Sequence, residues 1–319
     1  MIVTLTPNPS HDRTVTLTAP LERGAVQRAE SVISQAGGKG VNISRASIAA
    51  GIPSIAVLPA AKDDPFVLEL LAAGIDCRPV HNDGTLRVNI TISEPDGTTT
   101  KLNSPGPTVG PDVLAGLTEA LRRRAASADW VVLAGSLPPG APVGWYAELV
   151  ATLRAAGARV AVDTSDAPLR ALVDGLPGSA PHLMKPNGEE LASFTGGDAD
   201  LLESDPEAAA RAALTLVERG VESVLATLGP HGAVLVTADG AWHATPPPTS
   251  VVSTVGAGDS SLFGYLLGDI RQRTPDQKLA LAVAYGSAAA GLPGTTIPHP
   301  SQVKPELVSV RDLNLTLGG

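Results

Sequence analysis

The segment Thr254-Val255-Gly256-Ala257-Gly258-Asp259-Ser260, followed by an apolar run over 262–270, sets small residues and one carboxylate at a helix start. Small residues there let several backbone N–H groups converge on one anion, and the helix dipole favours negative charge at that end. A carboxylate would repel a phosphate that was merely bound. It makes sense if Asp259 takes a proton from an attacking hydroxyl while the backbone of Gly256, Ala257 and Gly258 stabilises a transferring phosphoryl group. A plain N-cap after a glycine turn accounts for the same residues, and the segment alone leaves both readings open. A second segment, Gly37-Gly38-Lys39-Gly40-Val41-Asn42, opens a helix running to Ala50. Its glycines allow close approach of a ligand to the backbone, and Lys39 and Asn42 add polar contacts. It has neither the Walker A spacing nor the dinucleotide fingerprint, and taken alone it reads as a glycine-rich turn before a helix.

Three further loops are polar and glycine-rich: Leu133-Ala134-Gly135-Ser136-Leu137-Pro138-Pro139-Gly140, Lys185-Pro186-Asn187-Gly188-Glu189-Glu190 and Thr227-Leu228-Gly229-Pro230-His231-Gly232. Each comes after a strand-like apolar run. Ligands of open α/β sheets sit beyond the carboxyl ends of the strands, so the shared position of these loops carries more weight than any one of them.

The elements that must hold these loops are legible as alternation. Residues 2–6, 54–58, 130–134, 159–162, 182–185 and 223–227 read as buried strands, and 41–50, 65–73, 111–126, 142–156 and 206–219 as amphipathic helices. Several helices begin at Pro or Asp and stop at Gly, as at Gly51, Gly74, Gly157 and Gly220. Such alternation implies a mostly parallel sheet with helices on both faces. Two regions break it. Residues 13–18 with 27–34, and 86–93 with 98–103, alternate apolar and polar positions, and Glu94-Pro95-Asp96-Gly97 is a hairpin signal. They are expected to form antiparallel strands outside the main sheet, as a small lid. Arg87 with Asn89, and Lys101 with Asn103, are spaced to share one face of their strands.

Composition narrows the function. With 319 residues, 43% of them hydrophobic, the chain can bury a large core. Its net charge of −9, with no basic run longer than Arg122-Arg123-Arg124, argues against nucleic-acid binding. An acidic protein handling an anionic substrate must gather its positive charge in a pocket. The one cysteine, Cys77, excludes an intrachain disulfide. The six histidines show no metal-ligand spacing; His182 is expected to be packed in a strand and the others solvated. The Ser136 loop lacks the Gly-x-Ser-x-Gly elbow of a serine hydrolase. No apolar run is long enough to span a bilayer and the first residues read as a strand, so a cytoplasmic protein is expected.

The loops 37–42 and 254–259 resemble the two signature regions of the PfkB-type, ribokinase-like carbohydrate kinases, and the remaining loops stand in that family's order over nearly the whole chain. Within the family, Thr6-Pro7-Asn8-Pro9 with Asp12, Leu21-Glu22-Arg23-Gly24, Thr100-Lys101-Leu102-Asn103-Ser104-Pro105-Gly106-Pro107 and Gly135-Ser136-Leu137-Pro138 are similar to 1-phosphofructokinases and tagatose-6-phosphate kinases. The stretch 101–107 points to the former. The resemblance implies a single ribokinase-like domain over 1–319, three-layered, with a β lid formed by about 12–35 and 86–104. It implies Asp259 as the base, Gly256, Ala257 and Gly258 as the anion hole, and Asp12, Gly37, Gly38 and Asn42 around the sugar. Lys39 and Arg87 are expected to converge on the sugar's phosphate, with Asn89 beside them, Arg28 and Lys101 as outer candidates and Ser136 lining the cleft. Lys185, Asn187 and Glu190 would organise the ATP phosphates and Mg²⁺, Glu190 through water. Thr227, Gly229 and Gly232 would cradle the nucleotide, with Ser287 flanking the adenine. One stretch departs from the family pattern: Pro59-Ala60-Ala61-Lys62-Asp63-Asp64-Pro65 stands where many relatives have Gly-x-Asp-x-x-Gly.

The expected reaction is ATP-dependent phosphorylation of fructose 1-phosphate to fructose 1,6-bisphosphate. Tagatose 6-phosphate or fructose 6-phosphate as acceptor is the alternative, and a catalytically silent sugar- or nucleotide-binding regulator the more remote one. The intact 256–259 segment argues against the silent regulator. The expected partners are a phosphosugar, ATP and a second copy of the chain paired through the lid.

Overall fold

The computed structural model describes residues 1–315. In chain order, β1 (Ile2–Leu5) leads to the pair β2 (Ser10–Leu17) and β3 (Ala29–Gly37), then α1 (Lys39–Ala49), β4 (Ser54–Pro59), α2 (Pro65–Ala72) and β5 (Asp76–Val80). A second pair, β6 (Arg87–Ser93) and β7 (Thr99–Leu102), precedes α3 (Pro111–Ala125), β8 (Trp130–Ala134), α4 (Trp145–Ala155), β9 (Val160–Asp163) and α5 (Asp166–Asp174). Next come β10 (Leu183–Met184), α6 (Gly188–Thr195), α7 (Ala199–Ser204), α8 (Pro206–Glu218), β11 (Ser223–Thr227), β12 (Ala233–Thr237) and β13 (Gly240–Thr245). The chain closes with α9 (Ala257–Ile270), α10 (Pro275–Ala290) and β14 (Ser309–Leu313).

Ten strands form one sheet in the order β14-β13-β12-β11-β10-β9-β8-β1-β4-β5. Its strands from β5 to β11 are parallel, and β11 to β14 run antiparallel at one edge. Successive side chains of a strand point to opposite faces, and the strands use both faces. Val3, Leu5, Val131 and Leu133 pack with Leu117, Leu121 and Leu149 of α3 and α4. Ile2, Trp130, Val132 and Ala161 pack on the other side with Ile43 of α1, Phe263 of α9 and Ala282 of α10. These strands are continuous apolar runs because neither face meets water. α9 and α10 approach closely at Gly264, where a Cβ would stand 2.8 Å from the Ala282 Cα.

The second sheet has four strands in the order β3-β2-β6-β7. Each hairpin is antiparallel within itself, and the two join through a parallel pairing of β2 with β6, Ser10 opposite Arg87. That pairing is between segments far apart in the chain, beyond the reach of local sequence signals. Much of β3 is exposed, including Val32 and Ile33.

Some boundaries differ from those read in the sequence. The first helix starts at Lys39, not 41, capped by Gly38 with φ 121°, a conformation that glycine adopts without steric cost. Helix α4 starts at Trp145 because 142–145 close a turn, with Trp145 N–H donating to the Pro142 carbonyl at 3.0 Å. His182 precedes β10 and its Nδ1 accepts the Val160 N–H at 3.0 Å. His243 is buried, not solvated: it lies on an inward-facing position of β13. β5, β12, β13 and β14 have no counterpart among the strands read from the sequence. No helix among the described residues is long and apolar enough to cross a membrane.

Candidate active site

A cavity of about 1210 Å³ opens beyond the carboxyl ends of the parallel strands. Thr6 after β1, Ser136 after β8, Lys185 and Asn187 after β10 and Thr227 at the end of β11 line its floor. Asp12, Arg87, Asn89 and Asn103 of the smaller sheet line the opposite wall. The start of α9 stands between the two.

Asp259 is the third residue of α9, and the N-cap position belongs to Gly256, in the left-handed region at φ 80°. No side chain caps this helix. The N-cap reading of Asp259 therefore falls away, and its carboxylate is free for another task. It is 7% exposed and accepts a hydrogen bond from Asn42 Nδ2 at 2.8 Å. Burial, reinforced by the negative charge of Asp163, pushes its pKa up to about 6; Lys39, Asn42 and Lys185 oppose the rise.

Asp163, at the end of β9, is the residue that sequence reasoning missed. Its side chain is wholly buried and lies between two ammonium groups, 2.6 Å from Lys39 Nζ and 3.2 Å from Lys185 Nζ. Burial alone would favour its neutral form, but the two lysines outweigh it and hold the pKa below the ordinary carboxylate range. For Lys39, burial works against the charge, and Asp163 and Asp259 overcome it and raise its pKa. The only signal in the sequence was one carboxylate closing the apolar run Val160-Ala161-Val162, at the carboxyl end of a parallel strand.

Lys39 and Arg87, both expected at the sugar's phosphate, line the same cavity and have different protein partners. Lys39 is paired with Asp163 beneath the start of α9, whereas Arg87 lies in the small sheet and donates from Nη1 to the Ser104 carbonyl at 3.0 Å. Arg87 Nε is buried without a partner. Burial lowers its pKa, with Asp12 opposing. Arg87 also lines a second cavity of about 450 Å³ beside Asn8, Ser136 and the prolines after it.

Around Asp12 the polar groups are mutually fixed. Oδ1 accepts from Ser10 Oγ at 2.7 Å and from Asn89 Nδ2 at 3.1 Å. Gly37 does not line the cavity; a Cβ there would collide with the Asp12 carboxylate, so its part is to leave that carboxylate room. Lys101 and Arg28 are not among the cavity residues either. Lys101 pairs with Thr91, two positions nearer the hairpin tip than Asn89, which carries it past the cavity mouth. Asn103, on the same parity, is brought in. None of the residues 59–65 lines the cavity, and Asp64 instead caps α2 by accepting the Phe66 N–H at 2.8 Å.

On the far side, Asn187 and Glu190 form a reciprocal cap on α6: Asn187 Oδ1 accepts the Glu190 N–H at 2.7 Å and Glu190 Oε2 accepts the Asn187 N–H at 2.9 Å. That leaves one oxygen of Glu190 for the cleft. Burial raises its pKa, and nearby Asp163 adds to the rise while Lys185 opposes it. Thr227, Gly229, Gly232 and Ser287 line the same end. His243 Nε2 bonds the His231 carbonyl at 2.9 Å and so holds the turn that carries Gly229 and Gly232. Among the described residues there is no group of three or more His, Cys, Asp or Glu placed to hold a metal ion.

The cleft thus joins a buried, poised carboxylate to two paired lysines and a helix N-terminus, a set that can deprotonate a hydroxyl and neutralise a transferring anion. The profile of the pfkB family of carbohydrate kinases matches residues 7–302. A 1-phosphofructokinase of Rhodobacter capsulatus is 37% identical over 310 residues, covering 95% of this chain and 94% of that one. A 1-phosphofructokinase of Xanthomonas campestris pv. campestris is 36% identical over 286 residues, covering 88% of each. Among solved structures, the phosphofructokinase-2 from Escherichia coli in complex with substrates and products superposes with a TM-score of 0.85 at 27% identity, covering 95% of this chain and 96% of that one.

Proposed function

The chain belongs to the pfkB family of carbohydrate kinases, and within it we propose that it is a 1-phosphofructokinase, converting fructose 1-phosphate and ATP to fructose 1,6-bisphosphate and ADP. The observation that carries the chemistry is the buried Asp259 at the open start of α9, with Lys39 and Lys185 joined beside it through Asp163. The choice of acceptor is supported by the 1-phosphofructokinase relatives, which match nearly end to end.

In this reading the sugar lies between Asp12 and Asp259. Asp12, oriented by Ser10 and Asn89, and Asn42, beside the backbone of Gly38, hold its hydroxyls. Arg87 takes the phosphate already present, helped by Ser136. Asp259 removes the proton from the remaining primary hydroxyl. The freed oxygen attacks the γ-phosphorus, the bond to the β-phosphate oxygen breaks, and ADP leaves. Backbone N–H groups of Gly256, Ala257 and Gly258 bind the transferring group, and Lys39 serves the phosphoryl rather than the resident phosphate. Lys185 meets the ATP phosphates from the donor side, and Thr227, Gly229, Gly232 and Ser287 flank the nucleotide. A magnesium ion bound with ATP would neutralise the polyphosphate; the free oxygen of Glu190 and its neighbour Asn187 suit contact with its waters, since Mg²⁺ usually keeps several of them.

The domain is read as one kinase unit, with the four-stranded sheet as its lid. The exposed Val32, Ile33 and Leu102 of that sheet support a homodimer paired through it. The reaction belongs in the cytoplasm, where ATP is supplied. A coupled assay of ADP release over fructose 1-phosphate, fructose 6-phosphate, tagatose 6-phosphate, fructose and adenosine tests the proposal. Fructose 1-phosphate should give the highest kcat/KM. A higher value for another acceptor overturns the substrate, and no release with any of them overturns the kinase reading in favour of a silent binder.

A further inference from the structure

The root of the small sheet is held by a pair of charged side chains that none of the roles above uses. Ala36, the residue before Gly37-Gly38, is 1% exposed and belongs to β3, an edge strand. An edge strand leaves alternate N–H and C=O groups without a neighbour. At Ala36 both outward groups are captured by side chains from the kinase body. The N–H donates to Glu69 Oε1 and Oε2 at 2.9 and 3.0 Å, and the carbonyl accepts from Arg45 Nη2 at 3.1 Å. Arg45 and Glu69 are themselves bonded at 2.6 Å. Glu69 stands on α2 and Arg45 on α1, so three elements meet at one residue, across the two peptide units that flank it. A second contact joins α2 to the same place: the His11 ring of β2 meets the buried Phe66 ring edge-on at 5.6 Å.

Ala36 leads directly into the acceptor side of the cleft. Gly37 lies flush against the Asp12 carboxylate, Gly38 caps α1, and α1 carries Lys39 and Asn42. A shift of Ala36 moves both the surface against Asp12 and the start of α1. The donor-side residues 185–190 and 227–232 belong to other loops, at the ends of β10 and β11.

We propose that Glu69 and Arg45 are positioning residues for the acceptor sugar: by clamping the backbone on both sides of Ala36 they fix the lid root, and through it Asp12 and the Gly38 end of α1. The inference rests on the phosphosugar-kinase reading. Small displacements at a reacting centre carry large kinetic costs, up to about 10²-fold for ~1 Å.

Glu69→Ala should raise KM for fructose 1-phosphate about tenfold and leave KM for ATP within about twofold. Glu69→Gln keeps an acceptor for the Ala36 N–H and should recover most of the loss. Arg45→Gln attacks the clamp from the other side and should reproduce the Glu69→Ala pattern, deciding the matter if that variant fails to fold. Hydrogen exchange gives a readout independent of turnover: peptides spanning 29–40 should exchange faster in Glu69→Ala than in wild type. An unchanged sugar KM, an equal rise in both KM values, or unchanged exchange at Ala36 each overturns the clamp. Wild-type protein inactive on every acceptor would instead refute the kinase reading, and the exchange experiment would still judge the clamp.

Discussion

Asp259→Asn should make the protein a poorer catalyst and a more stable fold at neutral pH. In the native state the carboxyl titrates near 6, against about 3.9 for an unperturbed aspartate. A folded-state pKa above the unfolded one means that the protonated form is the better native partner. The stability it contributes is complete below about pH 4 and is lost as pH rises through 6. Integrating that linkage between pH 4 and pH 8 gives a loss of roughly 2–3 kcal/mol for the wild type. Asparagine is neutral throughout and can still accept the Asn42 Nδ2 hydrogen bond through its carbonyl oxygen. Urea unfolding midpoints measured across that window should therefore diverge, with the variant gaining on the wild type as pH rises. Loss of a general base should lower kcat by ~10²–10⁴, and the wild-type kcat/KM should fall on the acid side with an apparent pKa near 6. Midpoints that run parallel from pH 4 to 8 would refute the buried, poised carboxylate, and a kcat within tenfold of wild type would refute the base.

Asp163→Asn leaves the buried Lys185 and the partly exposed Lys39 without their shared counter-ion, which should cost ~3 kcal/mol or less in denaturant unfolding because solvent still screens Lys39. It also removes a negative neighbour of Asp259, so the acid limb of kcat/KM should move to lower pH; a limb that stays put would separate the two carboxylates. Arg87→Ala should raise KM for fructose 1-phosphate at least tenfold by removing a charge-assisted contact, with little change for ATP. A rise confined to ATP would move Arg87 to the donor side. Glu190→Gln should raise the magnesium concentration needed for half-maximal rate. Because burial raises the Glu190 pKa, the wild-type requirement should also rise as pH falls, and a requirement independent of both would remove Glu190 from the metal's surroundings.

The parallel strands were legible because they are buried on both faces and so appear as short unbroken apolar runs ending in glycine-rich loops. That placed Ser136, Lys185, Asn187 and Thr227 on one edge from sequence alone. The start of α9 was legible as a helix opening on small residues for the same kind of local reason. What stayed hidden depends on long-range pairing. Asp163 has no motif around it, and its partner Lys39 lies 124 residues away. Lys39 alone looks like a free cation suited to the sugar's phosphate; only the tertiary fold shows it paired beneath α9. Lys101 was placed on the correct face of its strand by spacing, but the register that carries it beyond the cavity is set by the pairing with β6. His243 was expected to be solvated because no strand was legible around it, and only the pairing of β12 and β14 with both edges of β13 encloses it.

The charge balance at the centre of the cleft suggests why an acidic chain keeps a buried aspartate between its two active-site lysines. Two unpaired ammonium groups in an enclosed site would repel each other and be desolvated at high cost. Asp163 removes that penalty before any ligand arrives, and it does so without filling the space above α9. With Asp259 ionised, the four groups Lys39, Lys185, Asp163 and Asp259 are neutral together. In the proposed reaction Asp259 takes the proton of the acceptor hydroxyl, and the same four groups would then become net positive by one charge. The change comes as negative charge spreads over the transferring phosphoryl group and the departing ADP. Asp163 also raises the proton affinity of Asp259, so one carboxylate both pairs the lysines and makes its neighbour a stronger base. Positive charge that appears with the proton transfer favours the transition state over the bound substrates, and only such a difference accelerates the chemical step.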